Sequence, residues 1–295
     1  MTHPHHSKGI PVNNQSVVNI ATVPHRSLFR YPGGKTWLVP HIRKWLASLP
    51  YRPTEFVEPF AGGGIVGLSV VFEDLADAAT LVEMDESVGA VWRVVLNGKA
   101  KELAERIEGF QVSRESVREV LDATPKSLID RAFSTIIRNR MQRGGIMAPG
   151  ASLMKHGENG KGLMSRWYPA TLKRRILDIS AHKDRISFVA GDGIEYLKTV
   201  SRKSRVACLI DPPYTVAGRR LYAHSEIDHD KLFHVTSKIS GDFLMTYDNV
   251  EPVRIMASRY GFDTETVAMK NTHHTVMTEL LIGRNLDWCR QNTTS

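Results

Sequence analysis

The sequence is poor in cysteine and contains no long apolar run. Its 295 residues include two cysteines, Cys208 and Cys289, which argues against a disulfide framework or a Cys-rich zinc site and suits a reducing compartment. No apolar stretch reaches the roughly 18 residues that a membrane span needs, and the mostly polar residues 1–6 show no signal peptide. We therefore expect a cytoplasmic protein without a membrane partner.

Two familiar site patterns are also missing. Several histidines lack a cysteine or carboxylate at metal-ligand spacing, so we expect no metal site; they are His224, His229, His273 and His274. Gly34-Lys35-Thr36 resembles the end of a P-loop, but Phe29 occupies the position where that motif needs glycine, and the next residue, Arg30, is not glycine either. This excludes a nucleoside triphosphatase of the P-loop type.

The composition is that of a folded, basic protein. Hydrophobic residues make up 42% of the chain and the formal net charge is +8, with a pI of about 9.5. A basic surplus suits a polyanionic partner, because cationic side chains that neutralise phosphates release counterions. Charge alone does not distinguish a nucleic-acid partner from a merely basic surface.

The order of apolar runs and turns predicts a doubly wound α/β sheet with a helical insertion. Apolar periodicity and buried runs predict helices over 36–49 and 65–73 and strands over 55–58, 79–85, 186–190, 206–210, 243–247 and 279–282. A strand, a Gly-rich turn, a helix and a strand that ends in an acid open a nucleotide-binding domain. We predict a mobile tail over 1–26, a catalytic cofactor-binding domain over 27–97 and 181–285, a helical target-recognition insertion over 98–180, and a tail over 286–295.

The most informative motif is Asp211-Pro212-Pro213-Tyr214, directly after the apolar strand 206–210. Ligands of open α/β sheets bind beyond the carboxyl ends of the strands. Two prolines stiffen the turn, so that the Asp211 carboxylate and the Pro212 carbonyl can both accept from one NH2 group while Tyr214 lies against an aromatic base. Two acceptors would localise the lone pair of an exocyclic amine and stabilise its growing positive charge. The competing interpretation is a capping Asp in a Pro-rich turn.

A second motif, Phe60-Ala61-Gly62-Gly63-Gly64, follows the first strand. Glycines let the backbone approach a ligand closely. Asp85, at the end of the next strand, is placed to accept from ribose hydroxyls, and Asp192, at the end of the third, from an adenine amine. Each acid would also serve as an ordinary helix cap.

Together these motifs resemble the Dam-like adenine-specific DNA methyltransferases over about residues 27–284. The similarity lies in Tyr31-Pro32-Gly33-Gly34-Lys35, Glu58 to Gly64, Asp85, Asn139-Arg140, Asp211 to Tyr214, and Thr278 to Ile282, in this order. In the insertion, residues 141–167 depart from the usual Tyr- and Gly-containing run of that family.

The resemblance implies transfer of a methyl group from S-adenosylmethionine to the N6 amine of adenine in double-stranded DNA, with the base flipped out of the duplex. The implied catalytic residues are Asp211, Pro212 and Tyr214. The implied cofactor-binding residues are Tyr31, Lys35, Glu58, Phe60, Gly62, Gly64, Asp85, Asp192 and Asp211. Asn139, Arg140 and Arg143 are expected to contact DNA, and a cognate restriction endonuclease is a candidate partner.

Two other functions compete with this one. An RNA adenine or protein glutamine-amide methyltransferase would use a similar Pro-Pro-Tyr turn, because planar amides and amines pose the same chemical problem. A binding module that has lost catalysis is the third alternative. The basic residues of the insertion favour DNA; they include Arg131, Arg138, Lys155, Arg166, Lys173 and Arg175.

Overall fold

The computed structural model describes residues 22–30, 34–145, 147, 151–157, 160–213, 227–270 and 276–290. These residues form a seven-stranded sheet with helices on both faces. The strands are β1 Glu55–Glu58, β2 Ala78–Glu83, β3 Ile186–Ala190, β4 Val206–Ile210, β5 Asp242–Asp248, β6 Asp263–Lys270 and β7 Val276–Gly283.

Helices connect and cover these strands. The α-helices are α1 Val39–Ser48, α2 Ile65–Phe72, α3 Glu86–Leu96, α4 Ala100–Gly109, α5 Arg114–Asp122, α6 Leu128–Met141, α7 Pro169–Ala181, α8 Gly193–Val200, α9 His229–Ser237, α10 Glu251–Arg259 and α11 Asp287–Arg290. A 3-10 helix at Lys35–Leu38 leads into α1, and another spans Gly162–Arg166. None of the helices in the described ranges combines the length and apolarity that a membrane crossing needs.

The strand order is β3-β2-β1-β4-β5-β7-β6. Strands β1 to β5 pair in parallel, whereas β7 pairs antiparallel with both β5 and β6. The chain winds outward from β1 in one direction and then resumes at β4 on the other side. The prediction of a doubly wound, Rossmann-like α/β sheet is confirmed.

The two faces of the sheet carry separate apolar cores. Strand β4 is buried throughout, as its uninterrupted apolar sequence predicts. Its Leu209 faces the core under α1 to α4, α6 and α7, whereas Cys208 and Ile210 face the core under α8 to α10. This alternation follows from the two-residue period of a strand.

The segment predicted as an insertion is largely helical and shares the first of these cores. Helix α6 packs on α3, and α7 packs on α4. Buried side chains of both, such as Ile136 and Ile176, join the cluster that contains Trp92 of α3. The helices therefore extend the sheet's own core, and the domain boundary at residue 98 stays a prediction.

Both predicted tails are shorter than expected within the described residues. Val23 is buried, and Arg26 donates to Glu73. At the other end, Arg290 of α11 binds Asp263 and Glu265 of β6. Long-range ion pairs, which apolar periodicity does not reveal, order these short segments.

Candidate active site

The candidate site lies where the winding direction changes. Strands β1 and β4 are neighbours in the sheet, but the chain passes through β2 and β3 between them. The connections that leave their carboxyl ends therefore run in opposite directions, which makes this the switch point of the sheet. Ligands of open α/β sheets bind in the crevice that such a switch creates. The Gly-rich loop follows β1, and Asp211 follows β4. Two motifs that the sequence separates by about half its length are therefore adjacent.

Asp211 is held in place by two donors. Its Oδ1 accepts from Thr246 Oγ1 at 2.6 Å, and the Lys35 ammonium lies 3.0 Å from the same oxygen. Thr246 is fully buried on β5, next to β4 in the sheet, whereas the Asp211 side chain keeps 22% of its surface exposed. The carboxylate is thus fixed at one oxygen while part of the side chain faces solvent.

Lys35 joins Asp211 to a second acid. Its ammonium lies 3.5 Å from Oε1 of Glu279, a residue of β7 that is 4% exposed. Lys35 itself is 7% exposed. The predicted cofactor residue Lys35 is therefore a buried ion-pair partner of the predicted catalytic acid, and its contact with a cofactor stays a prediction.

The loop after β1 is shaped by glycine geometry and by neighbouring side chains. Gly64 has φ +57°, a left-handed conformation that strains other residues, and a Cβ there would lie 3.0 Å from Leu81 and from Trp92. Trp92 Nε1 donates to the Gly62 carbonyl at 3.1 Å, and Ser27 Oγ donates to the Gly63 carbonyl at 2.6 Å. These contacts define the loop before any ligand binds.

Glu58, at the end of β1, lies beneath this loop. Burial raises its pKa to about 8, although a hydrogen bond from the Gly67 N–H, at 2.8 Å, acts in the opposite direction. The negative charge of Asp211 raises the pKa further. Glu58 is therefore protonated at neutral pH and braces the first turn of α2 in this structure.

The acids after β2 and β3 play matching local roles. Oδ1 of Asp85 accepts from the Ser87 and Val88 N–H groups and caps α3, and Oδ1 of Asp192 caps α8 in the same way. In both residues Oδ2 accepts no hydrogen bond from the described residues. Capping and ligand binding are thus compatible, because each carboxylate caps with one oxygen. Strand β2 ends at Glu83, two residues earlier than predicted.

A tight crossing places Asp192 beside the Gly-rich loop. A Cβ on Gly193, the next residue, would lie 2.0 Å from the Pro59 carbonyl oxygen and 3.0 Å from the Phe60 ring. Only glycine permits this approach. The predicted residue Phe60 is half-buried against the α8 side of the sheet.

Two predicted site residues, Tyr31 and Tyr214, lie outside the described residues. Pro212 is described and buried. The stacking role of Tyr214 and the cofactor contact of Tyr31 stay predictions.

One family model matches part of the chain. Residues 31–120 match the model of the D12 class N6 adenine-specific DNA methyltransferases. The chain is a methyltransferase. The resemblance drawn from the sequence is confirmed over these residues, which include the Gly-rich loop and Asp85. No curated protein sequence matches the chain.

Solved structures resemble this methyltransferase in fold. The rRNA methyltransferase aviRa from Streptomyces viridochromogenes is 13% identical, with 95% of this chain and 97% of that chain covered and a TM-score of 0.41. Spermidine synthase from Thermotoga maritima is 10% identical, with 92% and 60% covered and a TM-score of 0.38. TrmK of M. capricolum, solved with S-adenosylhomocysteine, is 8% identical, with 82% and 66% covered and a TM-score of 0.35.

The expected DNA contacts of Asn139 and Arg140 in this methyltransferase need correction. Asn139 is fully buried; it accepts from the Arg30 N–H at 2.9 Å and donates to the Arg30 and Gly145 carbonyls. Arg140 is 5% exposed and donates to the Leu28 carbonyl at 2.6 Å. Both side chains tie the segment before Lys35 to α6, because their polar groups satisfy backbone groups in the core. Arg143 is exposed, and its DNA contact stays a prediction.

The other basic residues of the insertion differ in their surroundings. Arg131 and Lys173 pair with the acids Glu86 and Glu108. Four cations instead line a cleft of about 610 Å³ beside α5 and α6, which we call the basic cleft; they are Arg114, Arg118, Arg138 and Lys155. None of these four forms an ion pair with a described residue, and Asp122 is the one acid among the lining residues. The basic cleft therefore carries a local positive excess.

Sequence reasoning missed several residues that build the site. Thr246 and Glu279 hold the Asp211–Lys35 pair, and Trp92 and Ser27 hold the Gly-rich loop. One signal was visible: Glu279 is an acid within an otherwise apolar strand, Leu280-Leu281-Ile282. An acid buried in such a strand needs a partner.

Proposed function

We propose that this methyltransferase transfers a methyl group from S-adenosylmethionine to the N6 amine of adenine in double-stranded DNA. The observation that carries the proposal is the Asp211 carboxylate, fixed at the β1–β4 switch point by Thr246 and Lys35. A carboxylate held in this way accepts a hydrogen bond without first reorganising, and that preorganisation stabilises positive charge as it grows on an amine.

The residues around the switch point fit the proposed methyl donor. S-adenosylmethionine would supply a methyl group on an activated sulfonium, so that the protein's main task is alignment. The Gly-rich loop permits close approach of its backbone, and the Oδ2 atoms of Asp85 and Asp192 accept nothing from the described residues. These two carboxylates would receive the ribose hydroxyls and the adenine amine of the donor, respectively.

The basic cleft favours DNA as the acceptor. Four cations without ion-pair partners among the described residues face an open cleft, whereas a merely solvated helix surface gains nothing from clustering them. A cluster of cations can bind DNA by neutralising its phosphates. We extend the proposal to this surface: Arg114, Arg118, Arg138 and Lys155 bind the DNA backbone while a flipped adenine occupies the Asp211 site.

Identification of the methylated product tests the chemistry. Labelled S-adenosylmethionine is supplied with duplex DNA, RNA or protein, and the modified residue is identified by mass spectrometry. The proposal predicts N6-methyladenine in DNA and loss of label with Asp211→Ala. Label recovered in RNA, in glutamine or in cytosine alone would reject the proposed acceptor.

The salt dependence of DNA affinity tests the basic cleft separately. Removing one phosphate contact lowers the slope of log K against log salt by about 0.9. We expect this change for Arg118→Gln and no change for Arg202→Gln, a matched exposed arginine between α8 and β4. Equal slopes for both variants would place the DNA elsewhere.

A further inference from the structure

The Lys35 ammonium occupies an unusual position between two carboxylates. Asp211 lies 3.0 Å away on one side and Glu279 lies 3.5 Å away on the other. The side chains of Lys35 and Glu279 are 8% and 6% exposed, compared with 22% for Asp211. Glu279 is thus shielded from solvent, and Lys35 connects it to Asp211, the acid of the proposed methyl-transfer site.

Two carboxylates share this ammonium. Among the described residues, Asp211 and Glu279 both contact the Lys35 ammonium, so its positive charge is divided between them. Burial keeps the neighbouring acid Glu58 neutral, since its pKa is raised to about 8. Asp248 stands opposite Glu279 in the β5–β7 register; burial raises the pKa of Asp248, and the charge of Lys35 acts in the opposite direction.

We propose that Glu279 is a positioning residue of the transfer site, which shares the Lys35 ammonium with Asp211 and so leaves Asp211 a strong acceptor. This inference rests on the proposed function and adds a residue that the motifs do not include. If Lys35 were paired with Asp211 alone, it would neutralise the carboxylate that must attract a cationic methyl donor and an amine that becomes cationic. Glu279 reduces this neutralisation of Asp211, because it takes part of the charge of the Lys35 ammonium. It also holds the ammonium from the side opposite Asp211.

Two substitutions distinguish a role of Glu279 through its charge from a role through its packing, because the two roles predict opposite orders of activity. Glu279→Gln keeps the size and hydrogen-bonding shape of the side chain but removes its charge. Glu279→Asp keeps the charge and shortens the side chain by one methylene. If charge sharing matters, the Gln variant loses more activity than the Asp variant; if Glu279 only fills space, the order is reversed.

Cofactor binding gives a readout that needs no DNA and no turnover. S-adenosylmethionine carries a sulfonium charge, whereas S-adenosylhomocysteine is a neutral thioether. Calorimetry should show that Glu279→Gln weakens binding of the first relative to the second by about fivefold, because one negative charge near the site is lost. The matched control is Glu55→Gln, an acid at the opposite end of β1 that pairs with Lys203 at 2.6 Å; its ratio should not change.

The kinetic readout uses the same variants. We expect Glu279→Gln to lower kcat about tenfold with little change in the KM for DNA, Glu279→Asp to retain more activity, and Glu55→Gln to keep the wild-type kcat. In a Lys35→Met background Glu279→Gln should cause no further loss, because Glu279 acts through the lysine.

The possible outcomes separate this inference from the proposed function. An unchanged binding ratio in Glu279→Gln, or a Gln variant more active than the Asp variant, would overturn the role of Glu279 while leaving the methyltransferase proposal intact. Wild-type protein that binds neither ligand would overturn both.

Discussion

The hydrogen bond from Thr246 to Asp211 gives the most direct test of how the site is built. Thr246 Oγ1 lies 2.6 Å from Asp211 Oδ1, and the threonine is fully buried on β5. Thr246→Val removes the hydroxyl and keeps a β-branched side chain of nearly the same shape. Asp211 then retains Lys35 as the donor to this oxygen, at 3.0 Å.

The size of the effect follows from the charge on the acceptor. A hydrogen bond to an ionised group contributes about 1.5–3 kcal/mol, more than one between neutral groups. If this bond orients the carboxylate in the transition state, losing it lowers the rate by roughly tenfold to hundredfold, because about 1.4 kcal/mol corresponds to a factor of ten. The KM for cofactor should change less, since Thr246 touches the acid and not the Gly-rich loop.

The assay is label transfer from S-adenosylmethionine under single-turnover conditions, with thermal unfolding as a check on folding. Thr246→Ser keeps the hydroxyl and should stay within about threefold of the wild-type rate, a range well below one tenfold step. A Thr246→Val enzyme as fast as the wild type would show that Asp211 needs no anchor on β5.

Three further predictions concern the scaffold. Burial lowers the pKa of His41 to about 4 from 6.5, so the unfolded chain takes up this proton first; the contribution of His41 to the free energy of unfolding, measured in urea as the difference between wild type and His41→Leu, should fall by about 3 kcal/mol between pH 6.5 and pH 4. The pKa of Glu58 is raised from 4.5 to about 8, and its effect opposes that of His41 below pH 6.5; stability should therefore decline as the pH rises from 6.5 to about 8, and Glu58→Gln should abolish the decline, whereas a persistent decline would assign it to another group. Gly193→Ala should cost about 2 kcal/mol by overpacking against Pro59, whereas Gly191→Ala, with nothing within 4 Å of the added Cβ, should be nearly neutral in calorimetry.

The parts of the fold that were predictable from sequence are those with a strong local pattern. Strands β1, β3 and β4 begin and end at the predicted residues, because apolar runs are bounded there by turn residues. Strand β6 was not predicted: it lies at the sheet edge, and its Asp-Thr-Glu-Thr start reads as polar loop. Strand β3 lies at the opposite edge but has the apolar residues Ile186, Phe188 and Val189, whereas the first four residues of β6 are all polar.

The site also has a part that was predictable from local motifs and a part that was not. Asp211 and the Gly-rich loop were predicted because each motif is local and the α/β order fixes the edge of the sheet on which it lies. The partners Thr246 and Glu279 come from β5 and β7, and only the folded sheet brings them to Lys35. The DNA contact of Asn139 was predicted wrongly, because the sequence does not reveal whether a polar residue of a helix is buried. In the structure Asn139 satisfies backbone groups.

The central claim is that Asp211 faces a methyl donor whose ribose lies near Asp85 and whose adenine lies near Asp192. A crystal structure of the complex with S-adenosylhomocysteine measures this directly. We expect the ligand sulfur beside the Asp211 carboxylate and the Pro212 carbonyl, with the ribose hydroxyls on Asp85. A ligand bound away from the β1–β4 switch point, or in the crevice with its sulfur remote from Asp211, would contradict it.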